Sequence, residues 1–286
     1  MTILEAYMLF TQKLKMIYED REAANISDWV FEKVTGLKKW ERRENQSKQL
    51  EENQSNQIEI YLEELLQHKP IQYVLNEAWF YKMKFFVDEN VLIPRPETEE
   101  LVEWVISDFK NQKDSKPTNI LDIGSGSGCI SIALKNELTG INVTAIDVSK
   151  KAVAVAEQNA QRLKVNIHFL QINFLNENEW RSLPIYDSII SNPPYIPMIE
   201  KEMLSKNVTE FEPDVALFVE NNDPTIFYKK IAAFAKDHLK KDGKIYVETH
   251  EEYAKEVKAV FENAGYSAEI KKDIYGKERM VRGKKV

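Results

Sequence analysis

A strand that runs into three closely spaced glycines and out into a helix constrains this chain more than any other feature. Residues 119–123 form a short apolar run, Gly124-Ser125-Gly126-Ser127-Gly128 follows it, and an apolar helix is expected over 129–135. Strand, glycine turn and helix make the first part of a βαβ unit. Bare backbone in the turn lets a ligand approach closely. From about residue 117 onward the same alternation continues. Strands are expected at 143–146, 167–171, 186–191 and 244–248, with helices over 152–163, 227–239 and 253–263. Residues 267–271 and 279–282 read as a terminal antiparallel hairpin across Tyr275-Gly276. This pattern predicts an α/β fold with a doubly wound, Rossmann-like sheet.

The glycine spacing narrows the ligand. A dinucleotide fingerprint needs G-x-G-x-x-G, but its third glycine would fall on Cys129 counting from Gly124, or on Ser131 counting from Gly126. Hydride transfer is therefore disfavoured. Asp147 ends the next strand, where a carboxylate can accept hydrogen bonds from both hydroxyls of a ribose. A strand-end Asp can equally cap the helix that follows Ser149. Beside the glycine loop, the ribose reading is preferred.

Asn192-Pro193-Pro194-Tyr195 ends the apolar run 186–191. Proline lacks the donor that a sheet ladder needs, so the strand should stop there and leave the tetrapeptide in a loop. In an open α/β sheet, ligands bind at the carboxyl ends of strands. A planar NH2 group is a poor nucleophile with two hydrogens to place. The Asn192 side-chain carbonyl can take one and the Pro193 backbone carbonyl the other, orienting the nitrogen for attack. Tyr195 can offer a ring face. Alone, the tetrapeptide also fits a stiff turn. With the first and fourth strands adjacent in the sheet, the glycine loop would stand beside it, and a nucleoside-bearing methyl donor would meet a clamped NH2 group.

The chain has 286 residues, 43% hydrophobic and 30% charged, enough for one large or two smaller domains. One cysteine, Cys129, excludes an internal disulfide and fits a reducing cytoplasm. It reads as a packing residue rather than a nucleophile. The formal net charge of -7 speaks against coating nucleic acid. No signal peptide or membrane-length apolar run is seen. The four histidines show no metal-ligand spacing, and no metal is expected.

Residues 1–75 read as a small all-helical module. Ser27 or Asp28 is expected to cap a helix over 29–34 that Gly36 stops, and 58–66 is another helix ending near Pro70. Residues 38–56 read as a solvated helix or connection, because both charge signs are mixed. Tyr73, Val74, Trp79, Phe80, Tyr81, Phe85, Phe86 and Val87 make an aromatic, β-prone stretch, read as a hairpin linker over 76–93 with a turn at 82–84. The proline-braced segment from Leu92 to Glu99 then leads into a helix opened by Glu97 or Thr98, and the remainder, 94–286, is one domain.

Together, Leu121-Asp122-Ile123-Gly124-Ser125-Gly126-Ser127-Gly128, Asp147, Ser191-Asn192-Pro193-Pro194-Tyr195 and Leu92-Ile93-Pro94-Arg95-Pro96-Glu97-Thr98-Glu99 resemble the release factor glutamine N5-methyltransferases (HemK/PrmC type). Pro70-Ile71-Gln72-Tyr73 and Phe211-Glu212-Pro213 match as well. The resemblance runs from about residue 58 to the end, and the helical N-terminus matches in character only. Asn-Pro-Pro-Tyr is shared with amino-methylating DNA enzymes, whereas the Leu92–Glu99 segment is far more specific. The resemblance implies a class I methyltransferase fold that binds S-adenosylmethionine over Gly124 to Gly128. Asp147 would sit on the ribose, Phe174 near the adenine, and Asn192 beside the cofactor as well as the substrate. Asn192, Pro193, Pro194 and Tyr195 would hold the glutamine of the Gly-Gly-Gln loop of a peptide chain release factor for direct SN2 methyl transfer. Leu92 and Arg95 would line the substrate channel, and the N-terminal helices would help grip the release factor. A cytoplasmic monomer with no stable nucleic-acid partner and no membrane attachment is expected. Asn173 stands where the family commonly has Asp, and Asn76 where it usually has Gly. An N6-adenine methyltransferase of DNA or RNA is the alternative reading, and a non-catalytic binding module that keeps the fold is the third.

Overall fold

In the computed structural model, residues 1–110 and 118–286 are described. They form two compact units: 1–77 with 206–211, and 78–205 with 212–286.

The first unit is helical. Its helices are α1 (Ile3–Leu14), α2 (Asp20–Thr35), α3 (Lys39–Glu44), α4 (Glu52–Leu66) and α5 (Ile71–Leu75). Thr2 opens α1 with a capping box: its hydroxyl accepts from the Glu5 N–H, and Glu5 accepts from the Thr2 N–H. Apolar residues at helical spacing, among them Phe10, Leu14, Val30, Phe31 and Leu65, meet in the core at 1% exposure or less. Three expectations are corrected here. Ser27 and Asp28 do not cap a helix, because α2 already starts at Asp20 and runs through both, while Gly36 ends it in the left-handed conformation as expected. Tyr73 and Val74 are helical rather than β-prone, since a five-residue turn of helix follows Pro70 and Asn76 closes it with φ 51°. The polar stretch is not wholly solvated either. Arg42 is buried, paired with Asp28 and lying over the Tyr7 ring.

The second unit opens with the antiparallel hairpin β1 (Ala78–Phe80) and β2 (Met83–Phe85). Its turn lies at Tyr81 and Lys82, both left-handed, one residue earlier than the expected 82–84. Helix α6 (Pro96–Lys110) starts at Pro96 itself, the favoured first helical position for proline, so neither Glu97 nor Thr98 opens it. Next come β3 (Thr118–Ile123), α7 (Cys129–Glu137), β4 (Ile141–Asp147), α8 (Lys150–Leu163), β5 (His168–Gln171), β6 (Tyr186–Ser191) and the two-residue β7 (Ile196–Pro197). The short helix α9 (Lys206–Thr209) belongs to the first unit. The chain continues through α10 (Asp214–Leu217), β8 (Phe218–Val219), α11 (Ile226–His238), β9 (Leu239–Glu248), α12 (Ala254–Asn263), β10 (Tyr266–Lys272) and β11 (Glu278–Lys285).

Seven strands form one sheet in the order β10-β11-β9-β6-β3-β4-β5. The five from β9 to β5 are parallel, and β11 and β10 add the antiparallel edge. Both faces are covered. Leu121, Ile123, Ile189 and Val247 enter the core on one face, and Ile120, Ile190 and Tyr246 on the other. That is why the central strands read as nearly continuous apolar runs. The chain winds from β3 outward to β4 and β5, then back to β6 on the other side of β3. The loops after β3 and β6 therefore diverge at a switch point. Among the described residues no helix is long and apolar enough to cross a membrane.

One buried side chain joins the hairpin to the glycine loop. Asn159 on α8 is 1% exposed, accepts from the Phe86 N–H at 2.7 Å, and donates to the carbonyls of Phe86 (2.9 Å) and Ser127 (3.0 Å). A leucine there leaves these backbone groups unpaired in the interior. Asn159→Leu is expected to lower unfolding free energy by about 2–4 kcal/mol, read from urea unfolding midpoints. An unchanged midpoint would show that the bridge carries no stability.

Candidate active site

The loop after β3 is sewn to the end of β4. The N–H groups of Gly124 and Ser125 both donate to the Ile146 carbonyl, at 2.9 and 3.0 Å. Gly124, Gly126 and Gly128 all have positive φ. At Gly128 the need is doubled, because a Cβ would approach that of Ala156 to 3.1 Å, where α7 packs against α8. At Gly124 a Cβ would lie 4.0 Å from the Asn192 backbone carbonyl oxygen, so the loops after β3 and β6 meet there. The Ser191 hydroxyl fixes the register between them by donating to the Ile123 carbonyl at 2.7 Å.

Asp147 closes β4. Its carboxylate accepts one backbone N–H on each oxygen, from Gly126 and from Ser149, both at 2.9 Å. Each oxygen keeps a free acceptor direction. Burial pushes its pKa up, against these backbone hydrogen bonds. The cap of α8 is Ser149, whose hydroxyl accepts from the Ala152 N–H. Under the loop, Asp122 is fully buried and hydrogen-bonded by the Ser131 hydroxyl, and burial pushes it up to about 7.

A cavity of about 320 Å³ opens above these strand ends, within the range of about 300–1,000 Å³ common for small-molecule sites. Its polar side chains are Asn90, Asp147, Ser149, Asn173 and Asn192, with backbone at Gly124 and Gly126. Ile146, Ile172, Phe174 and Leu175 supply an apolar wall. A flat base on the apolar side, a ribose on Asp147 and a polar tail over the glycine backbone all find a chemically matched surface, so S-adenosylmethionine fits this donor set. Phe174 is itself a core residue, stacked on Trp180 and edge-on to Phe234. Asn173 uses its side-chain oxygen to accept from the Leu175 N–H.

The expected site residues divide by position. Gly124, Gly126, Asp147, Phe174, Asn192, Pro194 and Leu92 line the cavity. Ser125, Ser127 and Gly128 shape the loop without lining it, and Pro193 and Tyr195 stand beside it. Arg95 is turned elsewhere. It does not line the cavity, because its guanidinium pairs with the buried Glu212 carboxylate. Glu212 also accepts from the Ile93 N–H at 3.2 Å, so this ion pair braces the segment that carries Leu92. Asn192 donates through Nδ2 to the Thr98 hydroxyl at 3.0 Å, and the Tyr195 hydroxyl donates to Glu248 at 3.2 Å. Sequence reading missed both partners. Thr98 looked like a helix opener, and the only trace of Glu248 was an acid ending an otherwise apolar strand.

Residues 5–75 match the family model of the PrmC N-terminal domain, and residues 103–211 match that of the methyltransferase small domain. A release factor glutamine methyltransferase of Flavobacterium psychrophilum is 41% identical over 274 residues, covering 96% of this chain and 95% of that protein. Another, from Lactococcus lactis, is 36% identical over 276 residues, covering 96% of this chain and 99% of the relative. The crystal structure of a methyltransferase from Pyrococcus furiosus shares the fold, with a TM-score of 0.50 at 18% identity over 70% of this chain and 88% of that one. Identity at this level along nearly the full length of both chains shows that the chain belongs to the release factor glutamine methyltransferase family.

Proposed function

We propose that this chain methylates the side-chain amide nitrogen of the glutamine in the Gly-Gly-Gln loop of class I peptide chain release factors, with S-adenosylmethionine as donor. The observation that carries the reading is Asn192. Its NH2 end is taken by Thr98, which leaves its side-chain carbonyl oxygen to accept, and Asn192 lines the cavity while its backbone carbonyl meets the glycine loop. When bound, S-adenosylmethionine supplies a methyl group on a sulfonium, open to direct in-line displacement. The backbone of the Gly124 to Gly128 loop, exposed to the cavity at Gly124 and Gly126, would hold its polar tail, Asp147 its ribose and the apolar wall around Phe174 its base.

Asn192 and the Pro193 carbonyl each take one hydrogen of the substrate amide. Two fixed acceptors orient the nitrogen and favour the positive charge that it gains during attack. Tyr195 and Leu92 close a slot around the flat group, Pro194 stiffens it, and the surplus proton leaves to solvent. Arg95 contributes by bracing the Leu92 segment through Glu212. We assign residues 1–75 to gripping the release factor, 76–93 to a linking hairpin and 94–286 to catalysis. The single cysteine supports a cytoplasmic enzyme, which we read as a monomer, and the net charge of -7 supports a protein rather than a nucleic acid as substrate.

The decisive experiment is transfer of labelled methyl from S-adenosylmethionine to a purified release factor, with a Gln→Ala change in its Gly-Gly-Gln loop as control. Label on the wild-type factor that vanishes in the control is expected. Label found only on adenine-containing DNA would overturn the substrate and promote the nucleic-acid alternative. Asn192→Ala is expected to lower kcat by about 100-fold or more while the Kd for S-adenosylmethionine, measured by calorimetry, stays close to wild type. Near-normal turnover in that variant would remove the clamp from the mechanism. Asp147→Ala should do the opposite in part, weakening cofactor binding by about tenfold or more through loss of its charged acceptor.

A further inference from the structure

One buried acid has no part in the chemistry above. Glu248 ends β9, next to β6 in the sheet, and is 2% exposed. Its carboxylate takes two hydroxyls, Thr98 at 2.7 Å on one oxygen and Tyr195 at 3.2 Å on the other. Thr98 is 3% exposed in the first turn of α6. Its hydroxyl oxygen is also the acceptor for Asn192 Nδ2 at 3.0 Å. A threonine hydroxyl has one proton. With that proton donated in a hydrogen bond to Glu248, only a lone pair faces Asn192. The asparagine must then present its NH2 to Thr98 and its carbonyl oxygen to the other side. Nothing in the shape of an amide distinguishes its two ends, so the choice is made by the hydrogen bonds alone.

We infer that Thr98 and Glu248 are positioning residues that set the direction of the Asn192 amide, so that an acceptor rather than a donor meets the substrate NH2. The inference rests on the reading of Asn192 as the substrate clamp. If Thr98 turned its proton toward Asn192, the amide would reverse and offer an N–H to an N–H. The same carboxylate holds the Tyr195 hydroxyl, so one buried charge fixes both polar side chains of the loop.

Several groups face Glu248. They are Glu97 and Thr98 from α6, Tyr195 from the loop after β6, Arg279 from β11, and Tyr228 of α11, which donates to the Glu248 backbone carbonyl at 3.0 Å. Burial pushes the carboxyl up to about 6, against the hydrogen bonds from Thr98 and Tyr195 and the charge of Arg279. Above that pH it is an obligatory acceptor, and below it the carboxyl carries a proton of its own and no longer dictates the direction of the Thr98 hydroxyl.

The test uses the full chain, S-adenosylmethionine and a purified release factor. Thr98→Val keeps the shape and removes the relay, Thr98→Ser keeps the hydroxyl, and Glu248→Gln keeps the shape but can either donate or accept. We expect kcat to fall about 10- to 100-fold in Thr98→Val and Glu248→Gln, with the Kd for S-adenosylmethionine within about twofold of wild type and Thr98→Ser within about threefold in kcat. Wild-type kcat should decline on the acid side near pH 6, and that decline should be absent in Glu248→Gln. A readout independent of substrate is hydrogen exchange of the Asn192 side-chain amide, resolved by 15N NMR, which should be about tenfold faster in Thr98→Val than in wild type. A kcat in Thr98→Val within twofold of wild type, or equal exchange in the two proteins, overturns the inference. If Thr98→Val does not fold, Glu248→Gln decides by the same criteria. If the wild-type enzyme leaves the release factor unlabelled, the substrate reading fails, and the exchange measurement alone decides the relay.

Discussion

Parallel pairing of β3 with β6 is the constraint on which the site depends. The register places Ile123 opposite Ser191, and the Ser191 hydroxyl locks the two strand ends together. Because the strands are parallel, both end on the same edge of the sheet. Because neighbouring strands stand about 5 Å apart, the loops that follow are in contact. Gly124 and the Asn192 carbonyl meet there. A shift of one residue would turn every side chain of β6 to the opposite face and separate these loops. The apolar layers on both faces resist such a slip, so the core that stabilises the sheet also sets the distance between the glycine loop and the Asn192 loop.

Around that edge the protein has arranged three buried or partly buried carboxyls, each held differently. Asp122 lies beneath the glycine loop on a serine hydroxyl, Asp147 takes two backbone N–H groups, and Glu248 takes two side-chain hydroxyls. Burial raises all three, because a charge loses more solvation than one or two neutral donors return. Asp147 alone of the three lines the cavity. The other two turn inward and fix backbone or side-chain direction. A carboxylate is well suited to that task, since in its ionised form it can only accept. The Arg95–Glu212 pair follows the same logic at the rim, where a charge pair brings a proline-braced segment to a defined place.

Much of this was legible in the residues themselves. The alternating apolar runs predicted the order of strands and helices, and the strand–glycine–helix context placed the glycine turn between β3 and α7. The proline pair marked the end of β6. These signals are local: periodicity, turn chemistry and the absence of a donor on proline act within a few residues. The misreadings were of two kinds. Helix boundaries at Ser27, Asp28 and Thr98 were misplaced because a cap-forming residue looks the same in sequence whether it starts a helix or lies inside one. Arg95 was expected in the channel on the resemblance alone, and its ion pair went unread. Its partner Glu212 is more than a hundred residues away, and no local pattern announces the pair.

What the sequence by itself determined was the class of fold, the glycine loop and the residues that close the two central strands, because each follows from short-range rules of backbone and burial. Only the tertiary structure decided which way the Asn192 amide faces. That choice depends on a hydrogen bond donated by Thr98 on α6 to Glu248 on β9, two side chains that are distant in sequence and meet only when the sheet brings α6 and the ends of β6 and β9 together.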